Sequence, residues 1–245
     1  ILPTAILSTH TGGFQGYTFR DLSEDIPAII AHWKSLHLQY DIIISGYLGS
    51  ISQIEMVKQV KKDLLKEGGL FVVDPVMGDN GILYSHFDKH FVEEMKGLCK
   101  IADIIVPNLT EACFLTDTNY SEVKEQDYPA ILAKLKELCP RPSVTGCDIR
   151  CNGAVRSAVF YTDDTGNVKS YSTEKIEGAF HGAGDVYASA LVGALARGVD
   201  MDKAVEISAE FTKNSIAQTK KDGTEARYGL NSESQMLKFL LDVEK

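Results

Sequence analysis

The sequence predicts an α/β protein: a doubly wound, mostly parallel central sheet flanked by helices, with an antiparallel hairpin at one edge. Three observations carry that expectation. Short apolar, β-branched runs alternate with amphipathic stretches, the pattern of parallel strands buried by helices on both faces. The segments past the predicted strands, STHTGG, SGYLGS, DPVMGDNG, PNLTE and TGCD, are rich in glycine, hydroxyls and acids. Ligands of open α/β sheets lie beyond the carboxyl ends of the strands, so these loops can converge on one polar cleft. Finally, the run from Ala154 to Ile176 has two β-rich halves around Asp-Asp-Thr-Gly-Asn, which reads as a hairpin.

In chain order, the apolar runs predict strands at Thr4 to Leu7, Asp41 to Ser45, Leu70 to Asp74, Ile104 to Val106 and Ser143 to Thr145. Helical patterns lie between them at Ile26 to Ser35, Ile51 to Lys66, Phe87 to Leu98, Glu111 to Leu115 and Tyr128 to Leu138. After the hairpin, Val186, Tyr187, Ala190, Leu191, Ala194 and Leu195 share one helical face. A further helix follows in MDKAVEISAEFTKNSIAQT, and a last one from near Ser232 to Val243. Without an internal repeat or a low-complexity linker, residues 1 to 245 read as one domain.

Composition narrows the function. A net charge of -9 argues against a nucleic-acid binder, which needs a basic surface, while leaving room for a small anion held locally. No apolar run is long enough to span a bilayer, so a soluble protein is expected. The cysteines, Cys99, Cys113, Cys139, Cys147 and Cys151, are odd in number and come without a signal-peptide pattern, so they read as reduced cytosolic thiols. Cys147 and Cys151 lack the second pair of a zinc site.

The stretch EGAFHGAGDVYASALVGALARG sets Gly182, Ala183 and Gly184 before a helix expected to open at Asp185. Unpaired amides and the helix dipole there suit an anion, and small residues let it approach. The turn fits neither GxxxxGK[ST], absent from the chain, nor GxGxxG, since Tyr187 stands where the third glycine belongs. Asp185 reads either as an N-cap or as a base that takes a proton from an alcohol during phosphoryl transfer. Asp74, with Asp79 five residues on, offers hard oxygen ligands suited to magnesium beside phosphates, or else two solvated acids of a proline turn. Asn108 and Glu111 read as a capping box or as site residues. Ser8, His10 and Thr11 can hydrogen-bond a polar ring or be satisfied within their turn. His86 and His90 are spaced i, i+4 without the HExxH pattern, which favours a surface helix over a metal site.

Taken together, LSTHTGG, GYLGS, DPVMGDNGILY, IIVPNLTEA, Thr145-Gly146 and FHGAGDVYASALVGAL resemble the ribokinase-like superfamily, specifically the pyridoxal/pyridoxamine/pyridoxine kinases, over nearly the whole chain. The resemblance implies ATP-dependent phosphorylation of the 5'-hydroxymethyl group of a vitamin B6 vitamer. It makes Asp185 the base and Gly182, Ala183 and Gly184 the anion hole. It implies that Asp74 and Glu111 organise magnesium, partly through water, and that Asn108, Thr145 and Gly146 meet the nucleotide phosphates. Thr11 and Tyr47, with His10 beside them, match the pyridine-ring side; Asp79 and Tyr84 belong to the loop after Asp74. A cytoplasmic homodimer and a monovalent cation are further implications. A hydroxymethylpyrimidine kinase of the same superfamily is the nearest rival, although its motif commonly carries Cys at the place of Asp185. A non-catalytic protein that binds a B6 vitamer or nucleotide is the rival of another class. The chain departs from the family twice: another strand and loop usually precede its opening segment, and VTGCDIRCNGAV is short for the loop before the hairpin.

Overall fold

Residues 1–11 and 13–244 are described by a computed structural model; Gly12 of the STHTGG loop lies outside the described residues. The chain opens with β1 (Ala5–Leu7), β2 (Phe19–Asp21), α1 (Ile26–Ser35), β3 (Tyr40–Ser45), α2 (Ile51–Leu64) and β4 (Leu65–Val73). It continues through β5 (Gly78–Asp79), β6 (Ile82–Leu83), α3 (Lys89–Cys99), β7 (Ile104–Ile105), α4 (Leu109–Leu115) and α5 (Tyr128–Leu135). The last third holds β8 (Arg141–Cys151), β9 (Ala154–Thr162), β10 (Val168–Glu174), α6 (Ala183–Ala196), α7 (Met201–Lys221) and α8 (Met236–Val243).

The central sheet has six strands in the order β10-β9-β8-β7-β4-β3. From β3 to β8 neighbours are parallel, and β9 and β10 add the antiparallel edge that the sequence predicts. Period-two alternation sorts the side chains between two helical layers. Ile43, Phe71 and Val73 pack among α2, α3, α4 and α5, whereas Ile42, Val72, Ile104 and Val106 pack among α6, α7 and α8. Phe71, Val72 and Val73 are each fully buried, a contribution of about 1.5–3 kcal/mol apiece. A slip of one residue would exchange these faces, so burial fixes the register.

Several expectations need correction. The predicted strand Thr4 to Leu7 does not join the central sheet; β1 pairs antiparallel with β2, Ala5 opposite Asp21, in a separate two-stranded arm. Every residue of β2 is exposed, so no apolar run marks it in the sequence. Helix α2 stops at Leu64, and Lys66 lies in β4. Helix α3 starts at Lys89 rather than Phe87 because the Asp88 carboxylate accepts from the Phe91 amide at 2.9 Å. Helix α5 ends at Leu135, short of Leu138, and a 3-10 turn at Glu233–Gln235 precedes α8. The strand predicted at Ser143 to Thr145 runs on to Cys151 and turns into β9 through Asn152 and Gly153, both at positive φ. The segment that looks short for a loop is therefore a tight hairpin.

Candidate active site

The carboxyl ends of the parallel strands meet the start of α6 around a cavity of about 560 Å³. Its walls include Asp74, Asp79 and Tyr84 past β4, Asn108 and Glu111 at α4, Thr145 and Gly146 on β8, and Gly182, Ala183, Gly184 and Asp185. Cys147 is buried, Cys151 exposed, and no cluster of metal-ligating side chains occurs around them among the described residues. His86 and His90 are exposed, outside the cavity walls.

Helix α6 begins earlier than the sequence suggests. Gly182 is its N-cap, in the left-handed region at φ 79°, and Ala183, Gly184 and Asp185 fill the first three helical positions. Asp185 is therefore not the cap. The left-handed turn at Gly182, which a side chain would strain, carries the chain into the helix two residues sooner. No residue supplies a capping side chain, so first-turn amides, which lack intrahelical partners, face the cavity. The Asp185 carboxylate has no hydrogen-bond partner among the described residues, and the surrounding walls raise its pKa above the ordinary Asp value by desolvation.

Asp74 follows the last residue of β4, and its amide donates to the Ser45 carbonyl at 2.9 Å. Its carboxyl is buried; desolvation first and the charge of Asp185 second push its pKa up to about 8. Beside it, the Ser45 hydroxyl is buried with no partner among the described residues. Glu111 is buried as well, and both of its oxygens are engaged. Oε2 accepts from the Asn108 amide at 2.9 Å and Oε1 from the Met77 amide at 3.0 Å. Asn108 Oδ1 accepts in turn from the Glu111 amide at 2.9 Å, completing the capping box, and Asn108 Nδ2 donates to the Gly78 carbonyl at 2.8 Å. Thus Asn108 and Glu111 form the cap that the sequence allowed, and the same bonds fasten the Met77–Gly78 backbone over the cavity. Desolvation, with Asp74 adding to it, raises the Glu111 pKa well above the ordinary value. Tyr84 is pushed up to about 12 by burial and by the acids around it. Asp79 holds the amide and side chain of Asn80, each at 2.9 Å.

The buried Asp74 carboxylate has no hydrogen bond among the described residues and is a hard oxygen donor on the same cavity wall as the start of α6. Among the described residues no three metal-ligating side chains converge, so a magnesium ion here would take one or two carboxylates and fill its remaining positions with phosphate and water. Thr145 and Gly146 sit at a break in the β8–β9 register between Val144 and Cys147, with Gly146 at φ 71°. The bulge turns their backbone toward the cavity.

The remaining predicted residues lie apart. Thr11, His10 and Tyr47 are absent from the cavity walls. The Tyr47 ring packs 5.9 Å from Phe87, and its carbonyl accepts from the Thr4 hydroxyl at 3.1 Å. His10 reaches the site at one remove, its ring 4.8 Å from that of His181, which lines the cavity. The Ser8 hydroxyl accepts from the Thr18 amide at 2.9 Å within its own loop. Sequence reasoning missed Lys175, Asp148, Thr212 and Lys213, all on the cavity wall. Lys175 is ion-paired with Asp148 and Lys213 with Glu210, the latter at 3.1 Å. Position past the end of β10 was the available signal for Lys175; nothing local distinguishes Lys213 on α7.

Comparison with known proteins extends these observations. The phosphomethylpyrimidine kinase family model matches residues 28–229. A candidate pyridoxal kinase of Caenorhabditis elegans is 30% identical over 164 residues, 62% of this chain and 48% of that protein. The chain thus spans about half the length of that relative. The crystal structure of pyridoxal kinase from Lactobacillus plantarum superposes with a TM-score of 0.87 at 30% identity, covering 98% of this chain and 84% of that one. A Bacteroides thetaiotaomicron protein crystallised with pyridoxal gives a TM-score of 0.86 at 33% identity, covering 100% and 84%.

Proposed function

Because the chain belongs to the phosphomethylpyrimidine kinase family, with pyridoxal kinases among its relatives, we propose that it transfers the terminal phosphoryl group of ATP to the 5'-hydroxymethyl group of pyridoxal, pyridoxamine or pyridoxine. One observation carries the reading: the uncapped start of α6, with Asp185 unbonded beside first-turn amides on the wall of a cavity that also holds Asp74.

In this mechanism Asp185 accepts the proton of the acceptor hydroxyl as its oxygen bonds to phosphorus. The bond from phosphorus to the bridging oxygen breaks, ADP leaves, and the proton passes from Asp185 to solvent. A base kept above the ordinary Asp value by desolvation is better matched to that proton than a solvated carboxylate. The amides of the Gly182–Gly184 turn stabilise charge on the transferring group, and they are already aimed there before the reaction begins. Asp74 would hold magnesium directly and Glu111 through water, since both Glu111 oxygens already serve backbone amides. The metal would supply charge neutralisation at the phosphates. Asn108, Thr145 and Gly146 meet the nucleotide phosphates; Thr11, Tyr47 and His10 belong to the acceptor side. A homodimer, a cytoplasmic location and a monovalent cation complete the proposal; among the described residues no helix is long and apolar enough to cross a membrane.

A second reading, phosphorylation of a hydroxymethylpyrimidine, is supported by the family description. The test is a product assay with magnesium-ATP and pyridoxal, pyridoxamine, pyridoxine and hydroxymethylpyrimidine in parallel. A phosphorylated B6 vitamer is expected. Product from hydroxymethylpyrimidine alone would favour the second reading, and no product from any acceptor would favour a non-catalytic binding protein.

A further inference from the structure

The loop between β1 and β2 is held at both ends. At its base, the fully buried Gln53 donates to the Thr4 carbonyl at 2.9 Å and to the Ser23 hydroxyl at 3.0 Å, and accepts from the Gly49 amide at 2.7 Å. At its tip, a segment more than two hundred residues away closes on it. His10 Nε2 donates to the Arg227 carbonyl at 2.6 Å. The Arg227 guanidinium lies 5.2 Å from the Phe14 ring and 5.3 Å from that of Tyr228, and its Nε is 2.8 Å from Glu225. Phe14 and Tyr228 meet edge-on at 5.4 Å. The approach is close: a Cβ added at Gly13 would fall 2.8 Å from Arg227 Cβ.

This clamp touches the active site through one ring. His10 packs against His181, the residue immediately before the Gly182 turn. Its place beside the β3 edge of the central sheet points to the substrate it serves. The arm rests on the segment past β3 through the Thr4 hydroxyl and the Tyr47 carbonyl. In the order β8-β7-β4-β3, that segment and the Thr145-Gly146 bulge of β8 lie on opposite sides of Asp74, which follows β4. We infer that Arg227 is a positioning residue: through Phe14 and His10 it holds the His10 ring against His181 and thereby sets affinity for the acceptor alcohol, not for ATP. The inference rests on the kinase reading for its substrate and on contacts alone for the clamp.

The experiment pairs steady-state kinetics with amide hydrogen exchange on the whole chain. Arg227→Ala should raise KM for the accepted vitamer about fourfold, the loss of the half-exposed cation–π contact to Phe14, with kcat and the KM for ATP within about twofold of wild type. Exchange at residues 13–18 should quicken while the central strands keep their protection. Arg227→Lys, which keeps the charge without the flat stacking surface, should recover only part of the affinity. Gly13→Ala, which pushes the loop off Arg227, should reproduce the Arg227→Ala kinetics. Unchanged acceptor KM, or equal rises for acceptor and ATP, would overturn the assignment, as would unchanged exchange at residues 13–18. A wild-type chain that turns over none of the vitamers defeats the kinase reading instead, and the exchange measurement then decides the clamp by itself.

Discussion

Two helix starts face the same cavity, and each carries an acid at its third helical position. At α4 that acid is Glu111, reaching back to the amide of its N-cap Asn108, whose side chain closes on the Glu111 amide. At α6 the acid is Asp185 and the N-cap is Gly182, which has no side chain to offer. The first start is therefore closed on itself and fastens the Met77–Gly78 backbone. The second leaves its amides and its carboxylate open to the cavity. The N-cap residue decides between the two outcomes: a polar side chain satisfies a helix start internally, and a left-handed glycine leaves it open.

The largest expected effect comes from closing the open start. Gly182→Asn keeps a residue type that tolerates positive φ but puts an amide side chain before the free amides of α6. Turnover should fall at least ~100-fold, the scale for losing a donor to a transition-state oxyanion, while the new cap offsets the strain of a side chain at positive φ and thermal stability stays near wild type. An unchanged kcat would show that the turn does not meet the transferring group.

Opening the closed start has the opposite signature. Glu111→Gln sets an amide NH₂ against one of the backbone N–H groups that Glu111 now accepts, those of Met77 and Asn108. It should cost about 2 kcal/mol in urea unfolding, the penalty for a buried unsatisfied donor. Stability equal to wild type would mean that the capping box does not hold the Met77–Gly78 backbone.

The effect that shows only as a pH slope concerns Asp74, which is coupled electrostatically to the acids of both starts. Its folded pKa, about 8, stands above the unfolded value of about 3.9. Between these values the folded state keeps a proton that the unfolded chain has lost, so metal-free stability should fall as pH rises through the window, by at most about 1.4 kcal/mol per pH unit for one proton. Asp74→Asn should flatten that slope in melting curves from pH 5 to 8. An equally steep slope in the variant would assign it to Glu111 or Asp185, the other acids of the cluster.

Much of this was legible in the sequence where the signal is local. Apolar runs located the parallel strands β3, β4, β7 and β8, the Asp-Asp-Thr-Gly-Asn turn located the β9–β10 hairpin, and Asn108 with Glu111 three residues on was visible as a capping box. The start of α6 was misjudged because local propensity favours Asp as a cap, while the decisive feature is the left-handed backbone at Gly182. Pairing across distance was hidden. The antiparallel partnership of β1 with the wholly exposed β2 follows from tertiary anchoring by Gln53, and nothing near Arg227 announces that it closes on His10. The acids were named from their positions past strand ends. That Glu111 is engaged, and Asp185 without a hydrogen-bond partner among the described residues, depends on side-chain length and cap identity, which only the folded geometry reveals.

The central claim is that the open start of α6 supplies a base, and Asp185→Asn tests it most directly. Asparagine keeps the shape and one acceptor oxygen of aspartate but accepts no proton. Measured with magnesium-ATP and pyridoxal, kcat should fall at least ~100-fold while the dissociation constant for ATP stays within about threefold of wild type. Turnover near the wild-type rate in Asp185→Asn would contradict the account.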